Sequence, residues 1–281
     1  MRRVVSVWLV VVLSSVGAWG QPTGRDINPG LLGFNALSPF ETTGPWVGER
    51  WLVAFGAGLQ LSSPESGADV SYTVPFRFEY PFVKRASLWL EGSPFEAFTY
   101  TRATQLAWSP NRPAGVTRGD ISFGSRFLVY SGTGWFPAIG VRVLVKTATG
   151  ENLANRRFLD APAYQLDFLF GERLEVLGGE LELAVCLGFL AWQQGEAGQN
   201  DAFAGSGRAR WEWGRLAARV EVRGYSGWQH NDRPLVGLVG LEWRFTEALQ
   251  VEASATRSFR DPPGLDFRIG VKLSGPTLKM P

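Results

Sequence analysis

Between residues 239 and 255 the chain reads VGLEWRFTEALQVEASA, and every second position is apolar: Val239, Leu241, Trp243 and Phe245, then Leu249, Val251, Ala253 and Ala255. Glu242, Arg244, Gln250 and Glu252 fill the positions between them. A period of two places the apolar and polar sets on opposite faces of an extended chain. It predicts two strands joined by a tight turn at Thr246-Glu247. One face is oily and the other charged. Whether the oil points toward a core or toward lipid decides the fold.

The same alternation predicts twelve strands, at 50–61, 70–80, 86–100, 120–130, 138–147, 163–171, 180–192, 202–213, 216–227, then the pair just described, and 265–273. In the third, Gly92-Ser93-Pro94 interrupts the pattern and predicts a bulge or break. Short connections fall at 81–85, 131–137, 172–179, 214–215 and 246–247, and longer ones at 62–69, 101–119, 148–162, 193–201, 228–234 and 258–264. Short turns on one side and long loops on the other are how outer-membrane barrels are built. An even strand number brings both ends of the barrel to the short-turn, periplasmic side.

Aromatic placement then orients the faces. Trp51, Tyr80, Phe82, Trp135, Phe136, Phe170, Trp211, Trp213, Trp243 and Phe245 fall at the turn ends of the strands. Tyr72, Phe98, Tyr100, Phe189, Trp192, Phe203 and Trp228 fall at the loop ends, and aliphatic or small residues lie between. Two aromatic rims around an aliphatic band match the interfacial girdles of a lipid-facing surface, whereas a sandwich core would centre its large rings. The expected fold is therefore all-β, an up-and-down antiparallel transmembrane barrel of the outer-membrane type. Its lumen would be lined by Arg77, Arg126, Arg142, Lys146, Arg208, Arg210, Arg219, Glu221, Arg223, Glu242, Arg244, Glu252, Asp266, Arg268 and Lys272. Counting from the turn at 246–247 sets Glu242 opposite Glu252. Counting across the neighbouring loops adds Arg219 and Arg268 as flanking partners.

Composition adds an address. The start MRRVVSVWLVVVLSSVGAWGQ has a positive n-region, an apolar run from Val4 to Leu13, and Ala18 and Gly20 before the expected cut, which is the pattern of a secretory signal peptide over 1–20. That run is shorter than the ~20 residues a spanning helix needs. Of 28 basic and 26 acidic residues, Arg2 and Arg3 leave with the signal, so the mature chain is about neutral and offers no basic field to nucleic acid. The single Cys186 cannot form an internal disulfide and reads as a small filler on a strand. Residues 21–49 are rich in Pro and Gly yet carry Leu31, Leu32, Phe34, Leu37 and Phe40. They read either as a loose periplasmic leader or as a segment tucked into the barrel mouth. The barrel is expected over 50–273 and a tail over 274–281.

The run GDISFGSRFLVYSGTGWFPAIGVRVLVKTATGE, residues 119–151, resembles the phenol meta-pathway family of outer-membrane barrels. That family opens one strand on Gly-Asp and ends the next on a Lys-x-Pro-Thr-Gly-Asp-like motif. Gly119-Asp120 match the opening, and Lys146-Thr147-Ala148-Thr149-Gly150-Glu151 replaces the proline by alanine and the Asp by Glu. The resemblance implies a barrel and, with it, transport.

Catalytic chemistry finds little support. His230 is the single histidine, in the loop stretch GYSGWQHNDRP, with Ser226 and Asn231 near it in sequence. Barrel phospholipases instead space His and Ser two apart on one strand face. Glu180 and Glu182 lie at strand period two, but arginines on neighbouring strands make ion pairs the expected outcome. No Cys/His cluster suggests a metal, Glu65, Asp69, Glu151 and Asp160 are too scattered for a calcium loop, and no Gly-Lys-Ser/Thr loop suggests a nucleotide. The expectation is a bacterial outer-membrane protein without cofactor or catalytic residues. It would act as a narrow passive channel for small polar solutes, or alternatively as a non-conducting structural barrel, with a membrane hydrolase third. Its partners would be outer-membrane lipid, a small polar solute and, during biogenesis, the barrel-assembly machinery.

Overall fold

The computed structural model describes residues 37–62, 68–133, 136–150, 157, 162–194, 198–227, 233–260 and 264–278. The signal segment, residues 21–36, Trp135, Trp228, His230, Asn231, Glu65, Glu151 and Asp160 lie outside them.

Alternating sequence becomes strand almost everywhere. The strands are β1 (Arg50–Ser62), β2 (Asp69–Val83), β3 (Ala86–Thr99), β4 (Ala114–Thr117), β5 (Ile121–Tyr130), β6 (Ala138–Lys146), β7 (Ala163–Val176), β8 (Gly179–Gln194), β9 (Gly198–Trp213), β10 (Leu216–Gly227), β11 (Leu235–Arg244), β12 (Leu249–Arg260) and β13 (Gly264–Thr277). One short helix, α1 (Arg102–Trp108), sits in the connection after β3, where the Thr101 side chain caps it by accepting from the Thr104 N–H. Every strand pairs antiparallel with its neighbours, β1 pairs with β13, and β2 with β3, so the sheet closes on itself. β4 and β5 take one place beside β3, the first against Glu96–Thr99 and the second against Ala86–Gly92. The result is a closed barrel with twelve strand positions.

The bulge expected at Gly92-Ser93-Pro94 is present. Val74 pairs with Phe95 and Phe76 with Gly92, so β3 carries one residue more than β2 across that step. Its side chains change parity there: Ser87 and Trp89 face inward before it, Glu96 and Phe98 after it, all four buried.

Several expected limits move. The connection at 172–179 contracts to Leu177-Gly178, both at positive φ (52° and 73°) as a two-residue hairpin turn requires. The charges there read as a polar turn, but they pair across the hairpin, Arg173 with Glu180 and Glu182. The long loop expected at 193–201 is mostly ladder, with Gln193 opposite Gln199 and Gln194 opposite Gly198. β13 runs past Leu273 to Thr277, which pairs with Arg50, so part of the expected tail is barrel wall.

Outside, the surface is apolar: Val220, Val222, Val239, Leu241, Phe267 and Ile269 are all exposed. Inside it is polar and charged. In a soluble protein so much exposed oil would be unfavourable, and in a bilayer it is the solvated face. Of the aromatics at the loop ends, Phe98, Tyr100 and Trp192 turn inward and are buried, while Tyr72, Phe189 and Phe203 are exposed on the outer face.

Candidate functional site: a lumen divided by the N-terminal segment

Residues 37–49 run inside the barrel. At the loop end Leu37 packs with Leu190, Trp192, Ala202 and Tyr225, and the Tyr225 hydroxyl donates to the Leu37 carbonyl at 3.1 Å. Halfway down, backbone groups carry the segment. Thr42 N–H donates to Glu221 at 2.8 Å. Arg142 donates to the Glu41 carbonyl (2.6 Å), Arg208 to the Thr42 carbonyl (2.9 Å), Arg126 to the Gly44 carbonyl (3.2 Å), and the Cys186 thiol to the Thr43 carbonyl (3.4 Å). At the turn end Trp46 lies under the Arg173 guanidinium, 4.3 Å from ring centre to carbon. A buried backbone amide or carbonyl needs a partner, and the inward arginines supply most of them.

Two inward glycines make room for this path. A Cβ on Gly140 would meet Pro45 at 3.0 Å, and one on Gly171 would meet Trp46 at 2.5 Å and Pro45 at 2.7 Å. Only a strand without side chains at those places lets the segment lie against the wall.

The fifteen charged residues of that expectation take part in a dense net of ion pairs. Arg142 and Asp167 form a fully buried pair at 2.6 Å, and Gln165 adds a hydrogen bond to Asp167 at 2.7 Å. Arg126 pairs with Glu79, Lys146 with Asp120, Arg208 with Glu182, and Arg244, at the turn-end rim, with Glu212. Arg77 reaches Glu79 (3.1 Å) and Glu91 (3.3 Å), Arg223 reaches Glu221 (3.1 Å), and Arg268 reaches Asp266 (2.7 Å).

Glu242 does stand opposite Glu252. Their expected flanks do not hold: Arg219 is level with Gly240, and Arg268 with Ser254, each two residues from the counted position. The charge compensation survives with different residues. Lys272 bridges both carboxylates (3.3 and 2.7 Å), Arg210 binds Glu242 at 2.8 Å, and Arg219 leans across Gly240 to within 3.8 Å of Glu252. Turns of unknown length hide a two-residue step of register, because such a step leaves every side chain on its own face.

Alternation alone missed other members of the site. Glu96 and Arg157 form a buried pair, with Arg157 also over the rings of Phe98 and Tyr100 at 5.6 and 5.8 Å. Burial pushes the Tyr100 phenol up to about 12, against the opposing pull of Arg157, so it stays protonated across the ordinary pH range. Glu41 was missed because the leader has no period to place it. Ser226 points outward, away from the lumen.

The segment leans on β5–β10 and leaves a cavity of about 490 Å³, walled mostly by β1, β2, β3, β12 and β13. It extends from Leu52 and Trp46 near the turn end to Asp120 and Lys146 near the loop end. Among the described residues nine Lys or Arg and six Asp or Glu line it, an excess of positive charge. They also include no group of three or more His, Cys, Asp or Glu able to hold a metal ion.

This architecture is a closed, up-and-down antiparallel β-barrel with an apolar outer face, the fold of outer-membrane barrels. The chain is similar in fold to the NanC porin, at 9% identity and a TM-score of 0.55, over 79% of this chain and 98% of that one. It is similar also to the KdgM porin in complex with disordered oligogalacturonate, at 10% identity and a TM-score of 0.50, over 80% and 99%. No protein-family model matches the chain, and no curated protein matches it in sequence.

Proposed function

We propose that the protein is a passive channel of the outer membrane for small polar solutes, with the route confined to the half of the lumen that residues 37–49 leave open. The observation that carries this reading is the charged cavity of about 490 Å³ between that segment and the β1–β3 and β12–β13 wall. A barrel with only a structural purpose would gain by filling that space, since apolar packing stabilises and unpaired buried charge does not. The porin character of the similar structures supports the same reading, and the oligogalacturonate of one complex is an acidic solute. Lipid would surround the outward aliphatic band, and the alternating Leu265, Phe267, Ile269, Val271 and Leu273 would serve the assembly machinery.

The finer resemblance, to phenol meta-pathway barrels, gains one support. The matched residues lie far apart in sequence yet meet: Gly150 N–H donates to Asp120 at 2.6 Å, Lys146 pairs with Asp120, and Ile121 N–H donates to Thr149 at 3.0 Å. The motif thus reads as a clasp between the start of β5 and the end of β6.

The competing reading is a non-conducting barrel, favoured by how firmly the segment is seated. Planar-bilayer recording of refolded full-length protein, beside a variant lacking residues 37–45, separates the two. The channel reading expects a small steady conductance that rises several-fold in the deletion. Silence in the wild type beside conductance in the deletion would leave a structural, plugged barrel.

A further inference from the structure

The backbone of the lumen segment and its Glu41 side chain face opposite ways. Carbonyls from Glu41 to Gly44 and the Thr42 N–H hold the segment against β5–β10. The Glu41 carboxylate takes part in none of those contacts. It is 41% exposed and turns into the cavity, where the arginines acting on it are Arg219, Arg223, Arg268 and Arg77. They stand on β2, β10 and β13, and Arg223 Nη1 approaches to 3.8 Å.

Arg77 is held by Glu79 and Glu91, and the other three are less completely paired. The Arg219 side chain is 10% exposed and that of Arg223 6%, and among the described residues the buried Nε of each, like that of Arg268, has no hydrogen-bond partner. A buried guanidinium nitrogen left without an acceptor is unfavourable, and a planar fork of donors is suited to a carboxylate. The cavity they line holds nine Lys or Arg against six Asp or Glu among the described residues, so its own carboxylates do not balance its cations. One carboxylate, on a segment that does not need it for anchorage, stands in the middle of it.

We propose that Arg77, Arg219 and Arg268 form a binding site for a small polycarboxylate solute, and that Glu41 is a tethered carboxylate holding that site until the solute competes it away. This deepens the channel reading and rests on it, since the site lies in the open half of the lumen. Glu41 also raises selectivity: a neutral solute gains nothing by displacing it, whereas a polycarboxylate replaces one ionic contact by several.

The test uses the refolded full-length chain in detergent at low salt, with citrate as probe, by titration calorimetry. Glu41→Gln should tighten citrate binding about fivefold, the factor one unit charge at about 4 Å supplies in water. Arg219→Gln should weaken it by a similar factor. Cys186 lies under the Thr43 carbonyl, so its protection from a thiol reagent reports that the segment is still seated. Tighter binding with Cys186 still protected supports the proposal. Tighter binding with Cys186 exposed overturns it, because an emptied lumen would then be the cause. Unchanged affinity overturns it as well. Bilayer conductance of the same samples tests the channel reading separately: conduction with no effect of Glu41→Gln sinks this inference alone. Citrate binding without conduction in any variant sinks the channel alone.

Discussion

Val239 and Ser254 show how far apart two neighbours can be in environment. Val239 is 58% exposed on the outer face, while Ser254, level with Gly240, lines the cavity. An arginine at Val239 enters hydrocarbon, at a cost of about 2–4 kcal/mol near mid-bilayer. An arginine at Ser254 enters a wet, charged space. Gly240, although inward, is a poor comparison, because any Cβ there meets the Arg219 Nε at 3.0 Å. Val239→Arg should lower the midpoint of urea unfolding in liposomes clearly, and Ser254→Arg should leave it nearly unchanged. Equal losses at the two positions would reverse the assignment of faces.

Among the elements, the lumen segment is the one whose place depends most on others. Gly171→Leu should push Trp46 and Pro45 off β7 without touching the barrel ladder, since its Cβ falls within 3 Å of both. The expected result is a folded barrel, unchanged in its heat-modifiable gel mobility, in which Cys186 has become reactive to a thiol reagent. A protected Cys186 in that variant would mean that the segment does not need the glycine. The strands themselves were legible because alternation is a local signal: the pattern that placed Glu242 opposite Glu252 needed only the four-residue neighbourhood of one turn, where the Thr246 side chain accepts from Ala248 and Leu249 N–H. What was not legible depends on distance in sequence. Arg219 and Arg268 slipped by two because the loops before and after them conceal register. Residues 37–49 have neither strand nor helix period, and their position is fixed by Gly140, Gly171, Arg142, Arg208 and Glu221, scattered over four strands. Only their Leu37 and Phe40, too apolar for a free leader, hinted at burial.

For the molecule as a whole the question is which ions a half-filled barrel prefers. A twelve-stranded barrel lies between those that side chains fill and those that stay open, so what occupies the lumen decides. The segment covers much of the β5–β10 side, where Arg142, Asp167 and Glu221 are spent on each other and on its backbone. The lining of the cavity as a whole, both walls together, keeps a cationic excess, so the expected preference is for anions, measured as the reversal potential across a potassium chloride gradient. Glu252 sits in that wall, held by Lys272 at 2.7 Å and approached by Arg219 at 3.8 Å. Glu252→Gln releases both cations toward the cavity and should strengthen anion preference about twofold at 0.1 M salt, where the screening length of roughly 10 Å spans the lumen. Arg268→Gln leaves Asp266 without its 2.7 Å partner and should move the preference toward cations by a similar factor. At 1 M salt the screening length falls to about 3 Å, so both differences should shrink nearly to nothing. Shifts that survive high salt would point instead to a change in pore shape. Shifts of the opposite sign would mean that ions do not pass along the β1–β3 and β12–β13 wall.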